Sequence, residues 1–543
     1  MSVAFDFKTR PDRSGQGSSK WGEMISEAGG GLPDGVVPLS VADMELEIAP
    51  QIKQALHEFV DGVVPGYTEP TDAYYEACIG WQRRRHGWTP RREWLTLSPG
   101  VVPAINASVR ALTAPGDGVI IQPPVYYPFE MAIRKNGRKV VENPLKLDGT
   151  RYEIDFDDLE RKAADPNTTA IVVCSPHNPV GRVWTPEELG RLARICLDNG
   201  VFVICDEIHN DLIMPGHKHT TLLNVVEKSR WGRCLVCTAP SKTFNLAGLQ
   251  SSNIYIPDET SREAFANEFR GVLGFLELNA FGYAATTAAY NKCEGWLDGL
   301  IGLVQTNYEV LLGMLSNRLP EVQVFPLEGT YLAWADFNAW GLSPDDLKCF
   351  MREDAYLYLD EGHLFGSQGD GFERFNLAAP TSVIRESLTR LCDAADKRGV
   401  RSASLNGQVR DKGEKGLSMT YGINTANAPK PQGCCPQGAA AGRYVFVSGQ
   451  VGDDPRTQLL VSDDVAGQTR QAIANIRAVL SEARLEQSDV VKVTCFLTNL
   501  DNLAEMDKVF SEEFCPPRPA RTCIEVSRLR KDALVELECV ACR

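Results

Sequence analysis

Residues 1–395 alternate between apolar runs and amphipathic patterns. The runs AIVVCSP (170–176) and VFVICDEIH (201–209) lack polar alternation, which is typical of strands buried on both faces of a parallel sheet. Between them, TPEELGRLARICLDNG starts with Thr-Pro-Glu-Glu and ends at Gly200, so it predicts an amphipathic crossover helix. Strand, helix and strand in this order predict a βαβ unit within an α/β fold whose sheet is largely parallel.

Residues 396–418 interrupt that pattern, because they are rich in Gly, Ser and charge and have no apolar periodicity. We interpret them as a linker. Residues 419–543 contain four strand-like runs and two helical patterns. These six segments are RYVFVSGQVG, DVAGQTRQAIANIRAVLSEARL, VVKVTCFLTNL, NLAEMDKVFSEEF, RTCIEVSRL and ALVELECVAC. The sequence therefore predicts a second domain of mixed α+β type after the linker.

The size, composition and charge of the chain limit the classes of protein to which it can belong. A chain of 543 residues exceeds what one hydrophobic core organises, and 43% hydrophobic with 23% charged residues is ordinary for a globular protein. The start MSVAFDFKTR has no apolar segment behind a basic one, and no apolar run reaches the ~18 residues of a membrane span. We expect a cytosolic protein with no membrane partner. The net charge of −15 argues against a nucleic-acid partner.

The chain has 16 cysteines, many of them inside strand-like runs. Without a secretion signal, most are expected to be free buried thiols. The densest positions are the pair Cys434 and Cys435 and the pair Cys539 and Cys542. Neither pair supplies the repeated spacing of a structural zinc site, so no metal is expected.

Three polar residues are expected at one edge of the predicted sheet. Asp206 ends one strand, Asn178 follows the preceding strand, and Lys242 lies in CTAPSKTFNLAGLQ. Ligands of open α/β sheets bind at the carboxyl ends of the strands. A lysine there would suit an aldehyde cofactor such as pyridoxal phosphate, with a carboxylate for the pyridine nitrogen and an amide for the ring hydroxyl.

Four further features would serve the same cofactor and an amino-acid substrate. Backbone amides at Gly100, Val101 and Val102 precede a predicted helix and would bind phosphate, with the Ser241 hydroxyl beside them. Tyr126 in PPVYYPF would cover a flat ring, and Arg374 would bind a substrate carboxylate in a bidentate manner. Taken singly, such residues are more often surface lysines, helix caps or surface ion pairs.

The first domain resembles the fold-type I aminotransferase superfamily, and within it the cystathionine β-lyase/C–S lyase branch. The resemblance rests on SKW, VADME, PGYT, SPGVVPAI, PPVYYPF, SPHNPVGRVWTPEEL, CDEIHNDL, APSKTFNLAGLQSSNIYIP and GFERFNLAAP. It implies a mixed, largely parallel seven-stranded sheet, a small C-terminal subdomain, pyridoxal 5′-phosphate as cofactor and a homodimer with shared sites.

The resemblance also implies roles for individual residues. Lys242 matches the Schiff-base lysine, Asp206 the pyridinium partner, Asn178 the ring-hydroxyl partner, Tyr126 the stacking ring, Arg374 the carboxylate clamp, and Tyr67 a tyrosine that reaches the phosphate of the neighbouring subunit. His209 falls where relatives carry a tyrosine or histidine near the cofactor, and a histidine hydrogen-bonded to backbone is the alternative. Glu45 stands where the branch has aspartate, and Gln250 where many aminotransferases have an arginine.

Residues 419–543 resemble the Rid family (reactive intermediate deaminase, also called YjgF), which has a chorismate-mutase-like fold. The matching stretches are YVFVSGQVG, QTRQAIANIRAVL, VVKVTCFLTNLDNLAEMDKVF and PARTCIEVSRLRKDALVELECVA. The family implies a trimer with pockets between subunits. Arg521 matches its carboxylate-binding arginine, Glu536 its water-orienting glutamate and Cys523 a cysteine near the pocket. Cys435 replaces the pocket tyrosine, and LRK (529–531) replaces LPK.

Together these resemblances imply a C–S β-lyase acting on a small amino acid, with a second domain that hydrolyses the 2-aminoacrylate released. An aminotransferase, or another enzyme of secondary metabolism whose Rid domain acts on a different imine or is structural, is the alternative. A regulatory protein that senses a ligand through its first domain is a third hypothesis. A nuclease is disfavoured, because the chain is acidic and has no basic aromatic groove.

Overall fold

A computed structural model describes residues 5–64, 66–274, 278–399, 420–431, 436–441, 444–483, 485–514, 516 and 518–542. The chain divides into two compact units, Met1–Asn406 and Gly407–Arg543. The division falls inside the predicted linker, of which residues 400–418 lie outside the described residues.

Fourteen helices are found in the described part of the first unit. They are α1 Ser19–Ala28, α2 Pro50–Gly62, α3 Asp72–His86, α4 Val101–Leu112, α5 Pro128–Lys135, α6 Phe156–Ala163, α7 Pro186–Asp198, α8 Leu222–Val225, α9 Pro240–Thr243, α10 Glu259–Asn267, α11 Ala280–Lys292, α12 Glu294–Arg318, α13 Pro344–Cys349 and α14 Thr381–Arg398. Short 3₁₀ and π turns lie between some of them.

Thirteen strands accompany these helices over the same described residues. They are β1 Leu95–Ser98, β2 Gly118–Ile121, β3 Lys139–Glu142, β4 Lys146–Asp148, β5 Arg151–Glu153, β6 Thr168–Cys174, β7 Phe202–Asp206, β8 Cys234–Thr238, β9 Ser252–Tyr255, β10 Gln323–Val324, β11 Leu332–Asp336, β12 Asp360–Glu361 and β13 Phe372–Asn376.

The main sheet has the strand order β1-β9-β8-β7-β6-β2-β3. Strands β3, β2, β6, β7 and β8 run parallel, whereas β9 is antiparallel to both β8 and β1. All residues of β7 and β8 are buried, which accounts for their unbroken apolar runs. An antiparallel sheet of order β10-β11-β13-β12 forms the small C-terminal subdomain. The predicted mixed, largely parallel seven-stranded sheet is confirmed.

The predicted βαβ unit is β6–α7–β7. Thr185 and Glu188 form a capping box at the start of α7, in which the Thr185 hydroxyl accepts from the Glu188 amide at 3.1 Å and the Glu188 carboxylate accepts from the Thr185 amide at 2.8 Å. After the helix, Gly200 has a φ of 75°, a left-handed conformation that glycine adopts without strain. The helix start and stop signals therefore place the crossover as predicted.

The second unit is an α+β sandwich of one sheet and two helices in its described residues. Its elements are β14 Thr420–Ile423, β15 Gly438–Ala441, β16 Tyr444–Val451, α15 Val465–Glu482, β17 Val490–Leu497, α16 Leu503–Glu513, β18 Ala520–Glu525 and β19 Val535–Cys542. The strand order is β14-β15-β16-β19-β17-β18, and β17 pairs with β18 in parallel. The four predicted strands and both predicted helices are present, whereas β14 and β15 were not predicted. GAAA consists of residues that are depleted in strands, and TYGI is only four residues long and contains a glycine.

Candidate active site

A cavity of about 200 Å³ lies in the first unit, next to the carboxyl ends of β6, β7 and β8. Its walls bring together most of the residues that the sequence singles out. The lining includes Ala42, Gly100, Val101, Val102, Tyr126, Asn178, Asp206, His209, Ser241, Lys242, Gln250, Asp360 and Arg374. Asn178, Asp206 and Lys242 share one wall because the parallel strands β6, β7 and β8 end at a common edge. Gly100 before α4 and Arg374 on β13 bring more distant parts of the chain to the same cavity.

Lys242 lies on α9, the short helix that follows β8. Its Nζ donates a hydrogen bond to the carbonyl oxygen of Ala42 at 2.7 Å. Burial lowers the pKa of the amine to about 8, since desolvation disfavours the ammonium form more than Asp43 and Asp206 favour it. A buried amine with this pKa is available as a nucleophile and as a base near neutral pH.

Asp206 is the last residue of β7 and is buried. Its Oδ1 accepts a hydrogen bond from the Ile208 amide at 3.0 Å, and burial raises the pKa of the carboxyl to about 7. A buried carboxyl with one backbone hydrogen bond can bind a cationic N–H group. Such a group would donate a second hydrogen bond to Asp206 and lower the pKa of the Asp206 carboxyl.

Arg374, on β13, is buried and sits between two oxygen acceptors. Its Nη1 donates to Asn178 Oδ1 at 2.8 Å, and its Nη2 pairs with Asp360. Its Nε is buried and has no partner among the described residues, and the guanidinium lies 4.8 Å above the Phe365 ring. Because Asn178 accepts through Oδ1, its Nδ2 group remains available as a donor to a ring hydroxyl.

The start of α4 supplies an anion site. Gly100 is the N-cap residue and has no side chain that could cap the helix, so the amides of Val101 and Val102, in its first turn, have no partner within the helix. Both residues line the cavity. Ser241 lines the same cavity beside Lys242. Unbonded helix amides together with a hydroxyl group fit a phosphate group.

Tyr126 and His209 complete the walls. The Tyr126 ring lies 5.5 Å from Tyr127 and 5.8 Å from Phe129, and burial raises the pKa of its hydroxyl. The His209 Nδ1 is buried without a partner among the described residues, and desolvation lowers its pKa well below the usual range. Desolvation therefore favours the neutral imidazole form of His209.

Tyr67 does not line this cavity. It follows α2 and is fully exposed. Within one subunit the structure thus leaves Tyr67 apart from Lys242 and the other predicted cofactor residues, and its predicted role requires a second subunit.

In the second unit, Arg521 and Glu536 lie on opposite faces of the sheet. Arg521 pairs with Asp507 at 2.5 Å and lies 4.7 Å above the Phe510 ring, both on α16. Glu536 lies between buried Val535 and Leu537 of β19, and therefore points away from the helices. There it faces Gly449, where a Cβ would collide with its carboxylate, and partial burial raises its pKa.

Cys523 shares the helix-covered face with Arg521, since it packs against the core of the second unit. A pocket that used both Arg521 and Glu536 would need groups from two faces, which one isolated subunit does not bring together. Cys435, in place of the family's pocket tyrosine, lies outside the described residues.

Asp360 and Ala42 line the cavity and bind predicted site residues, although the sequence analysis did not single them out. Asp360 pairs with Arg374, and Ala42 accepts from Lys242 through its backbone carbonyl. Asp360 lies opposite Arg374 because of the register in which β12 pairs with β13. That register is a property of the tertiary structure, so the sequence carried no signal for this contact. A backbone carbonyl leaves no side-chain signal in a sequence.

Metal ligation and disulfides were not expected. No cluster of three or more His, Cys, Asp or Glu with metal-binding geometry occurs among the described residues. Buried cysteines such as Cys205, Cys237 and Cys495 are free thiols. No helix in the described parts of the chain is long and apolar enough to cross a membrane.

The sheet and the site define a fold-type I enzyme that uses pyridoxal 5′-phosphate. Residues 34–394 match the family Aminotransferase class I and II, and residues 425–543 match the family Endoribonuclease L-PSP. The chain belongs to the class I and II aminotransferase family and carries a C-terminal domain of the Rid type, and its cofactor is pyridoxal 5′-phosphate.

Three similar proteins illustrate these matches. Cystathionine β-lyase PatB of Bacillus subtilis is 42% identical over 390 residues, which are 71% of this chain and 98% of that protein. The structure of cystalysin from Treponema denticola, which contains pyridoxal 5′-phosphate, is 42% identical with a TM-score of 0.71, covering 73% of this chain and 100% of that one. A RutC family protein of Pyrococcus horikoshii is 44% identical over 119 residues, 22% of this chain and 94% of that protein.

The lowered pKa of Lys242 gives a direct test. In the cofactor-free protein, acylation of Lys242 by acetic anhydride should rise with pH around a midpoint near 8, because the neutral amine that reacts forms above its pKa of about 8. Competitive labelling and mass spectrometry of the peptide that contains Lys242 measure this midpoint. In the urea-unfolded chain the same peptide should titrate near the ordinary lysine value of about 10.4. Equal midpoints in the two states would contradict the structure.

Proposed function

We propose that the first domain is a carbon–sulfur β-lyase that cleaves cysteine-derived thioethers, such as cystathionine or cysteine conjugates, to a thiol and 2-aminoacrylate. The Rid domain then hydrolyses the enamine, or its imine tautomer, to pyruvate and ammonia. The observation that carries the proposal is the convergence of Lys242, Asp206, Asn178 and Arg374 on one cavity, in a chain that also carries a Rid domain.

The residues of the cavity fit the cofactor in a specific order. Lys242 would bind its aldehyde, the Asp206 carboxylate its ring nitrogen and Asn178 Nδ2 its ring hydroxyl. A further set would hold the phosphate and the ring face, and it consists of Val101, Val102, Ser241, Tyr126, His209 and, from the neighbouring subunit, Tyr67. Groups without a full set of partners support the assignment. The Asp206 carboxyl, bonded to one backbone amide, suits a cationic N–H group, and the first amides of α4 suit an anion.

The substrate carboxylate would bind Arg374, whose planar guanidinium suits bidentate recognition. Bound pyridoxal 5′-phosphate supplies an electron sink for the pair left when the α-proton departs. Lys242 takes that proton. Because the pKa of its amine is about 8, the amine can act as a general base near neutral pH. The Cβ–S bond breaks with its electron pair on sulfur, and the Lys242 ammonium returns a proton to the thiolate.

Two observations favour elimination over transamination. Proteins similar over the whole first domain are named cystathionine β-lyases, among them PatB of Bacillus subtilis at 42% identity. The second observation is the Rid domain, because elimination releases a reactive enamine whereas transamination releases none. A tethered hydrolase would meet that enamine at a high effective concentration. Transamination at the same site remains the second candidate, because both reactions begin with removal of the α-proton.

In the Rid domain, Arg521 would bind the carboxylate of 2-aminoacrylate and Glu536 would orient the attacking water. The raised pKa of Glu536 suits a group that exchanges protons with water. The two residues lie on opposite sheet faces in one subunit, so the pocket would form where subunits meet. Exposed Tyr444 and Phe446 on β16 offer apolar area for such a contact.

We also propose that the first domain forms homodimers. Val60, Val64, Tyr67 and Leu273 are large apolar or aromatic residues that are exposed in the single chain. A two-fold contact through this region would cover apolar surface and carry Tyr67 into a neighbouring cavity. A hexamer satisfies both a dimeric first domain and a trimeric Rid domain, and a simple dimer is the alternative.

The reaction class is tested with two substrate mixtures. Cystathionine should yield thiol, pyruvate and ammonia in equal amounts, whereas alanine with a keto acid should give little amino-group exchange. Lys242→Ala should lower the rate with cystathionine by roughly 10³-fold or more, since it removes the base and the covalent attachment. Lys397→Ala, an exposed lysine at the end of α14, is the matched control. Exchange with alanine faster than thiol release would favour the aminotransferase.

The clearing role of the Rid domain is tested with Arg521→Ala. Because this variant loses the carboxylate partner, 2-aminoacrylate should persist several-fold longer after a pulse of cystathionine, as measured by trapping it with a thiol. Thiol release in the first step should stay unchanged. Arg528→Ala is the control, since Arg528 is exposed in the same domain and pairs with Asp532. Equal lifetimes of 2-aminoacrylate in wild type and Arg521→Ala would reject the role.

Shared sites are tested by subunit complementation. Lys242→Ala and Tyr67→Ala homo-oligomers should each have low activity. Their equimolar mixture, unfolded and refolded together, should recover about a quarter of the wild-type sites, because half of the random dimers carry one intact site of two. A mixture of Lys242→Ala and Asp206→Ala should recover no activity, because Lys242 and Asp206 of one subunit belong to the same active site. Absence of recovery in the first mixture would contradict sharing.

A further inference from the structure

Residues Val41–Leu46, here called the 41–46 segment, touch the site through their backbone. The Ala42 carbonyl accepts from Lys242 Nζ at 2.7 Å. The Val41 amide donates to Asp360 Oδ2 at 2.7 Å, and the same oxygen pairs with Arg374. Two adjacent residues therefore hold the amine that would do the chemistry and, through Asp360, the guanidinium that would bind the substrate carboxylate.

The segment does not hold this shape by itself. Val41 has a φ of 54°, a left-handed conformation that β-branched residues rarely adopt, so the surrounding structure must impose it. Asn376 Nδ2 donates to the carbonyls of Val41 and Asp43 at 2.8 Å each. The Met44 amide donates to Asn245 Oδ1 at 3.0 Å.

A buried charge cluster adds the strongest contacts. Glu45, only 1% exposed, accepts from Lys20 Nζ at 2.9 Å, Arg13 Nη1 at 3.0 Å and Trp21 Nε1 at 3.0 Å. Lys20 Nζ also donates to the Asp43 carbonyl at 2.6 Å, and Arg13 Nη1 to the Met44 carbonyl at 2.9 Å. Arg13 further pairs with the Asp43 carboxylate at 2.9 Å. Each cation therefore bridges the Glu45 carboxylate and a backbone carbonyl of the segment.

None of these charged side chains lines the cavity. Burying a lysine with a glutamate is costly unless every hydrogen bond is made, and well-packed apolar residues would often stabilise a fold equally well. The arrangement is better explained by what it holds in place. We propose that Glu45, acting through Lys20 and Arg13, is a positioning residue that fixes the 41–46 segment and thereby the free amine of Lys242 and the Asp360–Arg374 pair.

The consequence for turnover rests on the proposed function of Lys242. The Ala42 carbonyl holds the free amine of Lys242 in one defined position, and the amine would have to return to this position to act as the base. Loss of that acceptor disfavours the ammonium form, and a displaced Val41 amide releases one bond from Asp360. Misplacement of reacting groups by about 1 Å costs on the order of 10²-fold in rate.

The test compares four variants. Glu45→Gln removes the charge and keeps the shape, and Glu45→Asp keeps the charge. The double variant Lys20→Met/Glu45→Leu replaces the pair by apolar groups of similar volume, which preserves folding while removing the bond to the Asp43 carbonyl. Glu47→Gln is the matched control, because Glu47 lies two residues after Glu45, is half-exposed and pairs with Lys53.

The first readout is independent of catalysis. Glu45→Gln should move the acylation midpoint of Lys242 in the cofactor-free protein to lower pH by about 0.5 unit or more. The charges of Asp43, Asp206 and Arg374, which also act on this amine, remain in all variants. The double variant is left out of this readout, because it also removes the Lys20 charge, whose loss raises the pKa of Lys242. Glu45→Asp and Glu47→Gln should keep the wild-type midpoint.

The second readout uses the holoenzyme with cystathionine. Glu45→Gln and the double variant should lower kcat by between about 10- and 100-fold and raise KM, while Glu45→Asp restores most of the rate. A wild-type midpoint in Glu45→Gln, together with a wild-type kcat in Glu45→Gln and in the double variant, would overturn the positioning role. Shifted midpoints in a protein whose wild type leaves cystathionine intact would instead sustain the positioning role and reject the proposed lyase.

Discussion

Burial of one amine and one carboxyl at the carboxyl edge of a parallel sheet is the constraint on which this site depends. Asp206 ends β7, and Lys242 follows β8, the neighbouring parallel strand. Desolvation disfavours the charged form of each, which lowers the pKa of the amine to about 8 and raises that of the carboxyl to about 7. Both groups are thereby brought close to neutral pH, where small changes in their surroundings decide where a proton resides.

Such a site needs a rigid frame, because buried groups with shifted pKa values gain stability from any movement toward water. Here the frame is the chain of contacts from Arg374 through Asp360 to Val41, and from Ala42 to Lys242. The small antiparallel sheet contributes Asp360 and Arg374, whereas the main sheet contributes the lysine. The 41–46 segment therefore joins the two subdomains of the first unit at the point where the chemistry would occur.

The presence of a Rid domain on the same chain has a chemical rationale. Elimination from a cysteine thioether would release 2-aminoacrylate, a reactive enamine, and a hydrolase on the same chain would shorten its lifetime. The carboxylate on both substrate and intermediate explains why each domain would need its own arginine, Arg374 and Arg521. Because Arg521 and Glu536 lie on opposite sheet faces, the second reaction, as proposed, would require an oligomer.

Local patterns in the sequence determined most of the fold. The apolar runs of β6 and β7, the capping box at Thr185 and the stop at Gly200 are short-range features, so the sequence predicted this unit directly. Asp206 and Asn178 were also predicted, because each stands at the end of a strand that could be recognised. Lys242 and Arg374 were predicted from their chemistry and from the motifs that carry the family resemblance. What the sequence could not supply were contacts made by backbone or set by register.

The tertiary structure decided the remaining features. The Ala42 carbonyl became the partner of Lys242 although 200 residues separate them, and a carbonyl is common to all residues. Asp360 became the partner of Arg374 through the pairing of β12 with β13, and β14 and β15 formed because β16 offered an edge to pair with. Arg521 and Glu536, both plausible from sequence, were separated by the alternation of side chains across a sheet. Periodicity and charge are encoded locally, whereas these partnerships arise when distant segments pack against one another.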